Sequence, residues 1–289
     1  MDVYNPHTMQ ELRDLISGHP EARVFAGGTD LLVAIRRGAL SPSLLICLDR
    51  IESLKGIEDR GDEIFISACT THAMILRSAL LLEHAPVLTQ AVGELGSPQI
   101  RNMGTIGGNI ITASPAGDTL PPLYVLKAEM EIHGPASGRR MPIDEFIRGP
   151  GSVNLLHGEI LTGVAIPKEA PWDIGHYEKV GKRKALSIAI AGLAASIRLS
   201  GSGEIINARL AWGSLGPKII ISRPVEAALI GRPLTLKTLK DAAALARDAV
   251  SPISDVRAGA EYRRTLAGNL LLRLIQCADG SKAPLPRGG

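Results

Sequence analysis

Residues 97–122 read SPQIRNMGTIGGNIITASPAGDTLPP, and the reading of this stretch decides the fold. Gly107 and Gly108 stand in tandem between Thr105-Ile106 and Asn109, and Thr112, Ser114, Asp118 and Thr119 follow within a dozen residues. Tandem glycines let a backbone approach a ligand closely or take positive φ. Their N–H groups, beside small hydroxyls, can form a concave nest for an anion such as a diphosphate. A second stretch of the same character lies upstream, Val24-Phe25-Ala26-Gly27-Gly28-Thr29-Asp30-Leu31. A lone Gly-Gly reads first as a turn. Two with matched chemistry suggest one diphosphate held from two sides, without naming the nucleotide.

Working outward, Thr8 caps a predicted helix through Gly18, with Glu11 completing a capping box. Ala22 to Ala26 reads as a strand feeding the first glycine turn. A helix over Asp30 to Arg37 places that turn at a helix N-terminus, where exposed N–H groups and the helix dipole favour anions. Leu44 to Leu48 completes a small α/β unit. Gly56 to Thr70 reads as two strands, Thr71 to about Leu82 and Pro86 to Leu95 as helices. Gln99 to Asn102 runs into the second glycine turn. Ile110 and Ile111 are expected to be buried, and Asp118-Thr119 to start a helical turn. Leu123 to His133, Arg140 to Ile143 and Ile160 to Ile166 read as strands.

Charge and proline interrupt the pattern at Pro167 to Pro171, a predicted domain boundary. Beyond it, Gly175 to Val180, Leu186 to Leu199, Ile205 to Trp212 and Ile219 to Ser222 predict an antiparallel sheet, with a hairpin turn at Ser202-Gly203. Helices follow over Pro224 to Leu229, Leu236 to Val250 and Ala258 to Cys277, the last with an apolar stripe of Tyr262, Leu266, Leu270 and Leu274. The class is α+β. Its divisions are 1–168, with subdomains of about 1–55 and 56–168, then 172–277, then a Pro- and Gly-rich tail 278–289 expected to be disordered.

The 289 residues are 45% hydrophobic and only 3% aromatic, so the core is aliphatic. The net charge of +3 is spread along the chain, which argues against a nucleic-acid-binding face. Cys47, Cys69 and Cys277 form no C-x-x-C pair, suit neither a zinc site nor an iron–sulfur cluster, and fit a reducing cytosol. No targeting peptide or apolar run of the roughly 18–20 residues needed to span a bilayer is visible. His72 and His84 read as surface or capping residues, and no nucleophile–base–acid set emerges, so no catalytic residue and no metal ligand is assigned.

AGGTDLL (26–32), QIRN (99–102), GTIGGNI (104–110) and ASPAGD (113–118) together resemble the FAD-binding medium subunit of the molybdenum hydroxylases, the xanthine dehydrogenase and carbon monoxide dehydrogenase family. The similarity continues in HGEILTGVAIP (157–167), YEKVGKRKALSIAIAGLAASI (177–197) and DVRAGAEYRRTLAGNLLLRLI (255–275). The resemblance implies a two-subdomain FAD-binding domain of the vanillyl-alcohol-oxidase-like (PCMH) kind followed by a small C-terminal sheet-plus-helices domain. It implies non-covalent FAD, with Val24 to Leu31 and Thr105, Ile106, Gly107, Gly108 and Asn109 as diphosphate loops. Asp118 would reach the adenosine ribose, Leu95 would pack on the adenine side, and Leu161 and Lys179 would be further flavin contacts, Lys179 beside the isoalloxazine. A positive charge there favours anionic reduced flavin. Molybdopterin and two [2Fe–2S] clusters would belong to a large and a small partner subunit, in a cytoplasmic dimer of heterotrimers that passes electrons to NAD, a quinone or another acceptor. A self-contained FAD-dependent oxidoreductase and a flavin-free assembly subunit are the alternatives.

Overall fold

The structure, a computed structural model, describes residues 1–135, 137–183 and 186–278; the expected tail falls almost wholly outside them. In chain order the first elements are β1 (Asp2–Tyr4), α1 (Met9–Gly18), β2 (Arg23–Phe25), α2 (Leu31–Arg36) and β3 (Leu44–Cys47). The strands form a parallel sheet in the order β1-β3-β2. The Thr8 hydroxyl accepts from the Glu11 N–H at 3.1 Å, while the Glu11 carboxylate reaches past the cap to the His7 N–H at 2.8 Å. Leu12 of α1 is fully buried with Leu44, Ile46, Leu48, Ile51, Leu54 and Cys69, the core of this small layer.

β4 (Ile57–Asp59) and β5 (Glu63–Ser67) make the expected hairpin. The helix expected from Thr71 to Leu82 is two: α3 (His72–Arg77) and α4 (Ala79–His84), parted at Ser78, whose backbone is extended at φ −76°, ψ 111°. α5 (Pro86–Glu94) follows, then α6 (Pro98–Met103), a helix the reading of Gln99 to Asn102 did not foresee. Its signals are local: Ser97 caps the Ile100 N–H at 3.3 Å, and Pro98 supplies a fixed φ where its missing N–H costs nothing.

The second glycine pair is also helical, within α7 (Ile106–Thr112), and neither glycine has positive φ. α8 (Leu120–Val125) replaces the start of the strand expected from Leu123. All six of its residues are buried, so it carries no apolar–polar period and reads like a core strand. β6 (Glu129–His133), β7 (Gly138–Pro142), the short α9 (Ile143–Phe146), β8 (Ile147–Gly149), β9 (Ser152–Val153) and β10 (Ile160–Pro167) complete the region. β4-β5-β10-β6-β7 is one antiparallel sheet and β8-β9 a small hairpin.

The last sheet is antiparallel, in the order β11 (Ile174–Val180), β12 (Ala191–Leu199), β13 (Ile205–Gly213) and β14 (Ile220–Ile221). β12 begins at Ala191, five residues later than expected from Leu186. One sheet face packs on α10 (Arg223–Leu229), α11 (Leu236–Ala249) and α12 (Ala260–Leu272) around the fully buried Trp212, whose indole N–H donates to the Ala267 carbonyl at 3.1 Å. α12 stops before α13 (Ile275–Ala278). Of the expected stripe on this last helical segment, Leu266, Leu270 and Leu274 are buried while Tyr262 is half-exposed.

The chain forms two compact units. One comprises Met1–Leu80, Ser97–Ala113 and Lys127–Lys168; the other comprises Leu81–Gly96, Ser114–Leu126 and the described residues of 169–278. Among the described residues no helix is long and apolar enough to cross a membrane.

Candidate functional site

Both glycine loops belong to the first unit, and the structure brings them together. The two are in direct backbone contact: a Cβ on Gly27 would lie 1.6 Å from the Met103 carbonyl oxygen, immediately before the second loop. Thr29 Oγ1 lies 3.4 Å from where a Cβ on Gly104 would sit, and the Thr112 hydroxyl donates to Asp30 Oδ2 at 3.2 Å. Glycine is thus required at 27 by close approach. Gly28, at φ +66°, needs left-handed backbone to turn the chain into α2.

A cavity of about 390 Å³ opens beside this junction, within the same unit. Val24, Phe25 and Ala26 line it from the first loop, Thr105, Gly107, Gly108 and Ile111 from the second, and Leu161 from β10. Gly27 to Leu31, Ile106 and Asn109 brace the loops without lining the space. Ile111, expected in the core, is 37% exposed and faces this cavity instead. Cys69 also lines it, but burial pushes its thiol up to about 12, leaving an unreactive apolar group.

The donors divide unequally between the loops. Among the described residues the N–H groups of Gly27, Gly28, Thr29 and Asp30 have no protein partner. In the second loop the expectation of free donors fails: the Gly107 N–H donates to the Ala68 carbonyl at 2.9 Å and the Gly108 N–H to Thr105 Oγ1 at 3.1 Å. These positions supply close backbone approach. A Cβ on Gly107 would meet Ala68 at 2.7 Å, whereas one on Gly108 would meet only Thr105 Oγ1, at 3.1 Å, and otherwise enter open space. A side-chain-free backbone wall within the cavity and unpaired N–H groups in the turn that directly follows Ala26 suit an anion with an apolar attachment.

Asp118, Lys179 and Leu95 lie in the second unit. Asp118 and Lys179, expected at opposite ends of a flavin, are bonded to each other: Lys179 Nζ donates to Asp118 Oδ2 at 2.9 Å and to the Glu94 carbonyl at 2.6 Å. Tyr177 completes the cluster, its hydroxyl donating to Asp118 Oδ1 at 2.9 Å. Burial raises the Asp118 carboxyl, with Lys179 and then Tyr177 opposing the rise, and burial pushes the Tyr177 phenol well up. Leu95 is 8% exposed at the end of α5, next to Glu94. Tyr177 was not anticipated, although its place two residues before Lys179 puts both side chains on one face of β11. Nor were Ile16, His19, Pro20 and Leu156, which line the outer cavity and sit in no recognisable motif. His72 was expected to be a surface or capping residue; it is 2% exposed, and the cap of its helix is Thr71.

Comparison with known proteins agrees with this geometry. Residues 1–169 match the family described as the FAD binding domain in molybdopterin dehydrogenase, and residues 176–278 match the CO dehydrogenase flavoprotein C-terminal domain. The chain is 31% identical to a xanthine dehydrogenase FAD-binding subunit of Escherichia coli O157:H7, over 93% of this chain and 92% of that one. It is 31% identical to a carbon monoxide dehydrogenase medium chain of Afipia carboxidovorans, covering 96% of each. Its fold superposes on a chain of the carbon monoxide dehydrogenase from Hydrogenophaga pseudoflava with a TM-score of 0.91 at 29% identity, over 98% of both chains. Paired glycine loops on one cavity and a match running through both units have one source: the chain belongs to the family of FAD-binding medium subunits of the molybdenum hydroxylases.

Proposed function

We propose that this chain holds FAD non-covalently, with the diphosphate between residues 24–31 and 105–109, and passes electrons from [2Fe–2S] clusters of a small partner subunit to an external acceptor. The observation that carries the site assignment is the convergence of both glycine loops on one cavity. When bound, the flavin supplies exchange between one-electron input and two-electron output. The chain's own residues bind and orient. The unpartnered N–H groups of Gly27 to Asp30, in the turn that directly follows the cavity-lining Ala26, meet the part of the diphosphate that extends past the cavity, Gly107 and Gly108 let it approach the backbone, and Leu161 and Ile111 exclude water. Asp118, Lys179 and Leu95 are the remaining contacts on this reading. Tyr177 and Lys179 keep the Asp118 carboxylate oriented.

The large partner holds molybdopterin and the substrate, the assembly is a cytoplasmic dimer of heterotrimers, and NAD or a quinone is the acceptor. The domain division on this reading is 1–168, with subdomains of about 1–55 and 56–168, and 172–277. The names borne by relatives support the partner assignment: xanthine dehydrogenase, nicotinate dehydrogenase and carbon monoxide dehydrogenase each have a subunit like this chain. The test is purification from the native host. A yellow chain that carries iron and molybdenum partners with it is expected. A yellow chain that purifies alone and turns over a substrate supports a self-contained oxidoreductase, and a colourless chain that ignores added FAD overturns the reading.

A further inference from the structure

Behind the second glycine loop, residues 68–72 run alongside residues 104–107. The His72 N–H donates to the Gly104 carbonyl at 3.0 Å, the Ile106 N–H to the Thr70 carbonyl at 3.0 Å, and the Gly107 N–H to the Ala68 carbonyl at 2.9 Å. Thr71 and Thr105 form an isolated antiparallel bridge in the same run. His72 is the first residue of α3, and its ring is turned inward. The ring reaches Gly104, where its Cδ2 lies 3.2 Å from the position a Cβ would take. Thr29 Oγ1 of the first glycine loop converges on the same point from 3.4 Å. A single glycine therefore sits between a histidine ring and the first diphosphate loop.

Two features mark this ring as more than filler. Its Nδ1 is buried without a hydrogen-bond partner, an arrangement that costs free energy and is rare in a packed interior. It is also held uncharged: burial first, and the Arg101 guanidinium of α6 second, lower its pKa from 6.5 to about 4. Arg101 belongs to the helix that ends at Gly104, so a charged ring would repel the element on which that glycine is mounted.

We propose that His72 is a positioning residue for cofactor retention, its buried imidazole being the wedge that seats Gly104 against Thr29 and sets the spacing of the two glycine loops. The inference rests on the assignment of FAD to those loops. His72 acts through Gly104 and touches no ligand. An aromatic ring without a titrating nitrogen can replace it in shape, whereas a methyl group cannot. Protonation removes the wedge by driving it away from Arg101, so the grip on FAD loosens as pH falls through about 4, where the folded chain's ring takes up its proton.

The experiment uses the full chain and its His72→Ala and His72→Phe variants. The dissociation constant for FAD is read by flavin fluorescence from pH 8 to pH 3, and thermal unfolding is followed with and without saturating FAD. His72→Ala is expected to weaken FAD about tenfold or more and to shrink the FAD-induced rise in Tm. His72→Phe is expected to retain wild-type affinity at pH 8 and to lose FAD less steeply than wild type as pH falls through about 4. An unchanged FAD affinity in His72→Ala overturns the inference. So does a fall in Tm that is equal with and without FAD, because that is a general packing loss. Where His72→Ala does not fold, the acid limb of His72→Phe decides, and a limb superposing on wild type overturns the inference. A folded wild-type chain that binds no FAD overturns the underlying site assignment as well, which separates the two failures.

Discussion

Gly108→Ala separates the demands of the fold from those of the ligand. Gly108 is the third residue of α7, and the added methyl would meet only Thr105 Oγ1, at 3.1 Å, a contact relieved by a shift of a few tenths of an ångström. Alanine is the better helix former by up to about 1 kcal/mol, less in a first turn. The free chain should therefore be as stable as wild type or up to about 1 kcal/mol more so, a change of at most about 4 °C in Tm for a domain of this size. The same methyl projects into the cavity from its backbone wall. Gly107 and Gly108 give that wall no free donor, so the cost is steric: a methyl forced between it and the ligand costs about 1–3 kcal/mol, the range for overpacking a well-fitted contact. FAD should then bind about 10- to 100-fold more weakly. Thermal unfolding of the free chain and a fluorescence titration with FAD measure both quantities. A variant with unchanged stability and unchanged affinity would refute the reasoning, because the backbone at 108 would then not face the ligand.

Three further outcomes follow from the geometry. Gly27→Ala would drive a methyl to 1.6 Å from the Met103 carbonyl oxygen, with backbone on both sides, so the loops must part; chemical denaturation should show a loss of about 3 kcal/mol, and the flavin band should be missing. Lys179→Met would leave the buried Asp118 carboxylate without its partner, a loss of about 3–5 kcal/mol at pH 8 that should shrink as pH falls and Asp118 takes up a proton; denaturation midpoints followed across a falling pH series check the sign. The His72 pKa is lowered in the folded chain, so its contribution is complete above 6.5, falls as pH drops through that value and levels off below about 4. That shift is worth about 3 kcal/mol, and His72→Phe should lack this part of the acid limb in urea unfolding.

Much of this was legible in the sequence, and the failures share a cause. The cap at Thr8, the strand–turn–helix around Gly28 and the two-strand hairpin of residues 57–67 are set by local chemistry, and each forms as read. The second glycine pair was read as a positive-φ nest because tandem glycine signals that conformation. The pair is helical, and its glycines answer instead to the proximity of Ala68, some forty residues away in sequence. α8 was missed because a helix buried on every side loses its period. His72 looked like a surface residue because nothing local marks a histidine whose neighbour is Gly104. Asp118 and Lys179 were placed apart because each was assigned alone; only the pairing of β11 with the rest of its unit shows them as one ion pair. Local signals located the loops, and long-range packing decided what each loop atom is free to do.

The most direct measurement of the central idea is competition calorimetry on the full chain freed of flavin, titrated with FAD, with ADP and with riboflavin. If both loops grip the diphosphate, FAD binds one to one, ADP binds more weakly at the same site and competes with it, and riboflavin, which has no phosphate, does not bind. Riboflavin binding as tightly as FAD, or a folded chain that takes up ADP and FAD independently, would contradict the account.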